Sequence, residues 1–194
     1  MSSKRHSILP AIDRSGPKPP VHFSSSLTIS DNAILQGNHS ITMQSETVVH
    51  PRSRFESHLG SLIIGRRCLI HEQTHIGARP ADIDNAKPGG VGLADYVIIE
   101  AGCVVEAGGT EIGEGSIIQA GSKIGSGAKI AKNCTITPMS IVAPGTVLFD
   151  GTVLYSGVLK RTDPREFSDQ KKLGVVKQLT VLRKMIRSNP DKFK

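Results

Sequence analysis

Residues 112–154, IGEGSIIQAGSKIGSGAKIAKNCTITPMSIVAPGTVLFDGTVL, carry an aliphatic side chain at every sixth position: Ile112, Ile118, Ile124, Ile130, Ile136, Val142, Leu148 and Leu154. Four residues after each of the first seven stands a small side chain, namely Ser116, Ser122, Ala128, Cys134, Ser140, Thr146 and Thr152. A strict period of six fits neither the 3.6-residue helix nor the two-residue alternation of an ordinary strand, and repeats of this length mark a parallel β-helix. One hexad supplies one short strand and one corner. Three hexads, about 18 residues, close one turn of a triangular prism whose turns stack at ~4.8 Å. The aliphatic residue then fills the centre of a wall, and the residue four later turns inward near a corner, where only a small side chain fits. Glycines at 113, 115, 121, 125, 127 and 145 supply backbone freedom where the chain bends.

Upstream the same spacing returns at Ile64, Ile70 and Ile76, with Cys68 and Thr74 in the small slot, and again at Ile99 and Val105. It begins near Leu27 or Ile29, passes Leu35, and slips by about two residues before Met43, Val49 and Phe55, as expected of bulged corners or short insertions. The pattern stops for Arg79–Gly90, RPADIDNAKPGG, which has almost no apolar side chains and reads as an external loop. About six turns are expected, giving a prism ~29 Å long. Residues 1–26, rich in Ser and Pro and without a hexad, read as a flexible arm; residues 27–158 form the β-helix with its loop at 79–90; residues 159–194 form a basic helix and tail.

In that tail, Asp163-Pro164-Arg165-Glu166 has the form of a capped helix start, Ser168 offers a second start, and Asn189-Pro190 a stop. Val175, Val176, Leu179, Leu182, Met185 and Ile186 recur at three- and four-residue steps. A prism has two ends of unpaired strand edges, and the helix is expected to cover the C-terminal one or lie along the side. The rival use of its stripe, Val175, Leu179, Leu182 and Ile186, is docking to a partner.

The net charge of +7 resides in this region. From Lys160 onward there are eleven basic and four acidic residues, against thirteen of each before it. Such a tail is either the solvated face of an amphipathic helix or a surface for nucleic acid, anionic lipid or acidic protein. With 4% aromatic residues and no Trp there is little to stack bases on, so nucleic acid is not the expected partner. No run of eighteen apolar residues is present, so no membrane insertion is expected, and without a signal core the chain is expected in the cytoplasm. Cys68, Cys103 and Cys134 fall in the small inward slot and lack CxxC spacing, as for reduced core thiols.

Two enzyme classes use hexapeptide β-helices, and both need histidine. A zinc enzyme of the carbonic-anhydrase-like kind requires three imidazoles. The histidines are His6, His22, His39, His50, His58, His71 and His75, so the later half of the prism has none to offer. Gln36 and Asn38 stand where such relatives have Arg and Asp. Acyl transfer from coenzyme A or acyl carrier protein needs one histidine as general base on the acceptor, for which His50, His58, His71 and His75 are the candidates, none with an evident carboxylate partner in the sequence. No phosphate loop, nucleophile elbow or Cys/His dyad occurs. The expectation from this reading is a chain with no catalytic residue, no cofactor and no metal.

Finally, TVVHPRSRFES, SLIIGRRCLIHEQTHIG and VIIEAGCVVEAGG precede the perfect repeat, and VLYSG, the pair Lys160-Arg161 and a helix ending near RSNPDKF follow it. In this the chain, from about Leu27 to Phe193, resembles the dynactin subunit 6 family. The resemblance implies a single-stranded left-handed parallel β-helix, all-β apart from a C-terminal α-helix. It implies a non-catalytic subunit of the dynactin pointed-end complex, cytoskeleton-associated, pairing with the β-helical dynactin subunit 5 alongside dynactin subunit 4 and the pointed-end actin-related protein, and supporting dynein-driven cargo or membrane attachment. The acyltransferase, and after it the zinc enzyme, stand as the alternatives.

Overall fold

The computed structural model describes residues 16–80, 88–155, 159–162 and 168–193. Three parallel sheets form the walls of a prism. The first wall stacks seven strands, from Val21–Phe23 through Ile41–Met43, Leu62–Ile64, Val91–Leu93, Thr110–Ile112 and Lys129–Ile130 to Val147–Leu148. The second begins at Thr28–Ile29 and climbs through Val48–Val49, Leu69–Ile70, Ile98–Ile99, Ile117–Ile118 and Thr135–Ile136 to Thr152–Tyr155. The third stacks Ile34–Gly37, Arg54–Ser57, His75–Ala78, Val104–Glu106, Lys123–Ile124 and Ile141–Val142. Within the coil, from Val21–Phe23 to Thr152–Tyr155, consecutive strands do not pair with each other. Each pairs with the strand one turn on, as a coil requires.

Every sixth-position aliphatic of the deciding stretch lies inside, from Ile112 to Leu154, and so do Ser116, Ser122, Ala128, Cys134 and Ser140. The small residues are small because their polar atoms reach sideways to the next coil: Ser116 Oγ donates to Ala131 O at 2.9 Å and Ser122 Oγ to Thr137 O at 2.9 Å. All three cysteines are buried in the same columns, and burial pushes the Cys68 thiol up to about 12. The glycines divide by cause. Gly115 and Gly121 have positive φ, whereas Gly113 does not and is needed because a Cβ would sit 2.6 Å from the backbone of Ala131.

Along the second wall the repeat is eighteen residues only from Ile117 to Thr135 to Val153; the earlier turns are longer, and the longest, Leu69 to Ile98, contains the 79–90 excursion, of which 81–87 lie outside the described residues. Two boundaries are corrected. Val21–Phe23 already pairs with Ile41–Met43, so the coil starts inside the stretch read as an arm; Phe23 lies over Met43 and packs against the core, which offsets the cost of ordering it. Residues 1–15 lie outside the described set.

The second correction concerns the ends. Leu159–Thr162 runs antiparallel along Thr152–Tyr155, so a strand, and not the helix, covers the last edge of the second wall. The helix, Ser168–Met185, instead descends along the outside of that wall; the capped start read at Asp163 lies outside the described residues. Strand alternation turns Val49 and Ile70 inward and Val48 and Leu69 outward, and on these the helix sets Val175 and Leu179, with Leu182 and Ile186 beside them. The stripe weighed as a partner-docking set is thus occupied by the protein's own wall. Burying Val175 and Leu179 contributes roughly 1.5–3 kcal/mol each. Lys172 adds an ion pair with Glu114 at 2.6 Å and sits over the Tyr96 ring.

Past the helix the chain closes the bottom of the prism. Ile29 N donates to Ser188 Oγ at 3.0 Å, Asn189 N donates to Ile29 O at 3.1 Å, and Phe193 meets Phe23 edge-on at 6.5 Å. An edge that would otherwise leave its N–H and C=O groups unpaired is satisfied from 159 residues away. Leu179→Ala is predicted to lower unfolding stability by ~2–5 kcal/mol, and Lys172→Ala by no more than ~1 kcal/mol because its pair is partly solvated. Urea denaturation followed by circular dichroism measures both. Equal losses would mean that charge, not apolar contact, holds the helix.

Candidate active site

The outer column of the third wall reads Ile34, Arg54, His75, Val104, Lys123, Ile141, one residue per coil in register. Phe55 and Ile76, the inward neighbours of Arg54 and His75, are fully buried, so both backbones are fixed by the core. Two residues along from Arg54, Glu56 returns to the outer face beside Gln36. His75 Nε2 lies 3.3 Å from Glu56 Oε1, within ion-pair reach but off the line of a hydrogen bond. Arg54 Nη1 donates to the same oxygen at 3.2 Å. Burial holds the His75 imidazole below its ordinary 6.5, against the pull of Glu56 and with help from Arg54. The shift favours the neutral ring, and Nε2 is the nitrogen that faces the carboxylate.

The other candidates fall elsewhere. His50 and His71 stack in adjacent coils at the far corner of the second wall, ring centroids 4.8 Å apart and 25° from parallel. His50 Nε2 is buried without a hydrogen-bond partner among the described residues. His58 is half-buried, His22 and His39 are exposed, and His6 lies outside the described residues. No three His, Cys, Asp or Glu side chains among the described residues are grouped to hold a metal ion.

His75 has no carboxylate partner evident in the sequence; the structure supplies Glu56. The two belong to adjacent coils in a region where the turn is longer than eighteen residues, so an eighteen-residue frame put them out of register. The spacing of Val49 and Ile70, twenty-one positions, was the available signal: the same step takes Arg54 to His75.

Residues 109–144 match the family model described as bacterial transferase hexapeptide (six repeats). No curated protein matches the sequence. Among solved structures, a hexapeptide transferase family protein from Anaplasma phagocytophilum superposes with a TM-score of 0.68 at 14% identity, covering 89% of this chain and 99% of that one. A putative acetyltransferase from Bacillus cereus gives 0.65 at 16% identity, covering 88% and 98%. The fold is the left-handed parallel β-helix of hexapeptide repeats with a C-terminal helix. These findings correct the expectation of a non-catalytic cytoskeletal subunit. The matching family model and the structures that share the fold along nearly nine-tenths of the chain carry transferase descriptions, and the acyltransferase alternative is the reading they back.

Acid should loosen this molecule through the stacked pair. Burial is the first cause lowering both His50 and His71, and the charge of His71 adds to it at His50, while Glu72, and Glu100 for His71, oppose. With folded values below the unfolded 6.5, the native state binds fewer protons than the unfolded chain. Stability is then constant above about pH 6.5 and falls as pH drops through the folded values. Urea midpoints from pH 8 to pH 5 are predicted to decline, and His50→Gln to flatten the slope; a midpoint that rises on acidification would contradict the assignment.

Proposed function

We propose that the chain is a hexapeptide-repeat acyltransferase that moves an acyl group from a thioester donor, coenzyme A or acyl carrier protein, to an amine or hydroxyl. The observation that carries this is the His75–Glu56 pair on the third wall, an imidazole held below its ordinary range by burial, with a carboxylate oxygen 3.3 Å from its Nε2. The transferase descriptions of the family model and of the neighbouring structures support the same class of reaction.

The chemistry asks little else of the chain. The acceptor's lone pair forms the new bond to the acyl carbon, the carbon–sulfur bond breaks, and the acceptor's proton passes to His75 Nδ1 and on to the departing thiolate. Glu56 faces Nε2 and stabilises the imidazolium formed in between, and Arg54 holds Glu56 by donating to the same oxygen. Because these groups stand on strands of a rigid coil, their positions do not depend on a loop.

Acetyl-coenzyme A with a panel of small amines and alcohols, assayed by thiol release, tests this. His75→Asn is predicted to lower turnover by a factor on the order of 10² or more, and His58→Asn to leave it unchanged. The acid limb of kcat/KM should fall below the ordinary imidazole range. In light scattering the enzyme is expected as a homotrimer. No thiol release with any acceptor, or one-to-one pairing with a second β-helical protein in place of self-association, would overturn the proposal.

A further inference from the structure

We infer that the outer face of the C-terminal helix is a docking surface for an anionic lipid surface. The helix uses one side against the second wall, through Val175 and Leu179. Half a turn away, Leu173, Lys177, Val181 and Met185 follow one another at four-residue steps and form a single ridge. Its three aliphatic members are 56%, 57% and 74% exposed. They are large apolar side chains in water on a helix whose other apolar stripe is already covered, so core packing does not account for them.

Charge selects the partner. Between Ser168 and Met185 the helix carries Lys171, Lys172, Lys177, Arg183 and Lys184 against a single acid, Asp169, and only Lys172 has a carboxylate at ion-pair distance among the described residues. Arg161 continues the surface: it pairs in register with Val153, an outward residue of the same wall, and is exposed. The basic residues of the helix and Arg161 therefore lie on the side of the second wall, while the sequence before Lys160 is neutral in sum.

Shape separates a lipid surface from an acidic protein segment. The helix lies flat along the wall, so its ridge is the outermost line on that side and is convex; a peptide or helix partner is received in a groove. A plane meets such a ridge along its length, with aliphatic side chains entering the interface and lysines on either flank reaching the headgroups.

The test is cosedimentation of the full chain with phosphatidylcholine vesicles, with and without roughly 30% phosphatidylserine. Bound protein is expected to rise at least about tenfold with the anionic lipid and to be lost at about 0.5 M salt. Lys177→Glu/Lys184→Glu is expected to abolish binding. Leu173→Ser/Val181→Ser, which leaves charge unchanged, is expected to weaken it severalfold. Equal sedimentation on neutral vesicles, no sedimentation of the unaltered protein, or binding to polyglutamate without binding to vesicles would each overturn the inference. Because all these positions are exposed, an unchanged melting curve separates a lost surface from a lost fold.

Discussion

Each coil of this protein hands its backbone hydrogen bonds to the next coil, and that single constraint dictates the residue pattern. Ile117 N donates to Cys134 O at 2.8 Å and Lys123 N to Ser140 O at 2.9 Å, so a turn cannot shift without breaking its neighbours' bonds. Turns held that close leave an interior that admits one aliphatic per wall and one small residue per corner. The small residues' hydroxyls and thiols are turned onto carbonyls of the following coil, which keeps buried polar atoms satisfied.

The same constraint makes the ends a problem, and the chain treats them unequally. The bottom of the second wall is closed by the tail after the helix, and its top by a reversed strand. Beneath the third wall, Gly37 N donates to Pro17 O at 2.9 Å, so the incoming chain covers part of that edge as well. Covering edges from within the chain blocks the end-to-end stacking that an open coil invites.

How much of this could be read in advance follows from where the repeat is strict. From Ile112 to Leu154 the period of six names the inward residues without error, and the burial of Cys68, Cys103 and Cys134 follows from the same slot. Val21–Phe23 escaped because three residues directly after Pro20 cannot display a period; only pairing with Ile41–Met43 reveals them. The bonds of Ile29 with Ser188 Oγ and Asn189 N escaped because hydrogen bonds made by the Ile29 backbone to so distant a part of the chain leave no mark in the apolar pattern. The apolar stripe of the helix was legible, but its cover was not, since Val48 and Leu69 read as part of ordinary hexads until the wall shows them facing outward. Glu56 was missed for the reason the slip gives: a longer turn moves a carboxylate next to a histidine that an even frame places apart.

What the rigid wall does for chemistry is to decide which imidazole nitrogen faces a carboxylate. Phe55 and Ile76 anchor the strands from inside, and Glu56 meets His75 at Nε2, leaving Nδ1 for an incoming group. The direct test is a long-range proton–nitrogen correlation spectrum of the histidine side chains at pH 7. The account predicts a neutral His75 ring with its proton on Nε2. A ring protonated on Nδ1 alone, or an imidazolium at that pH, would contradict it.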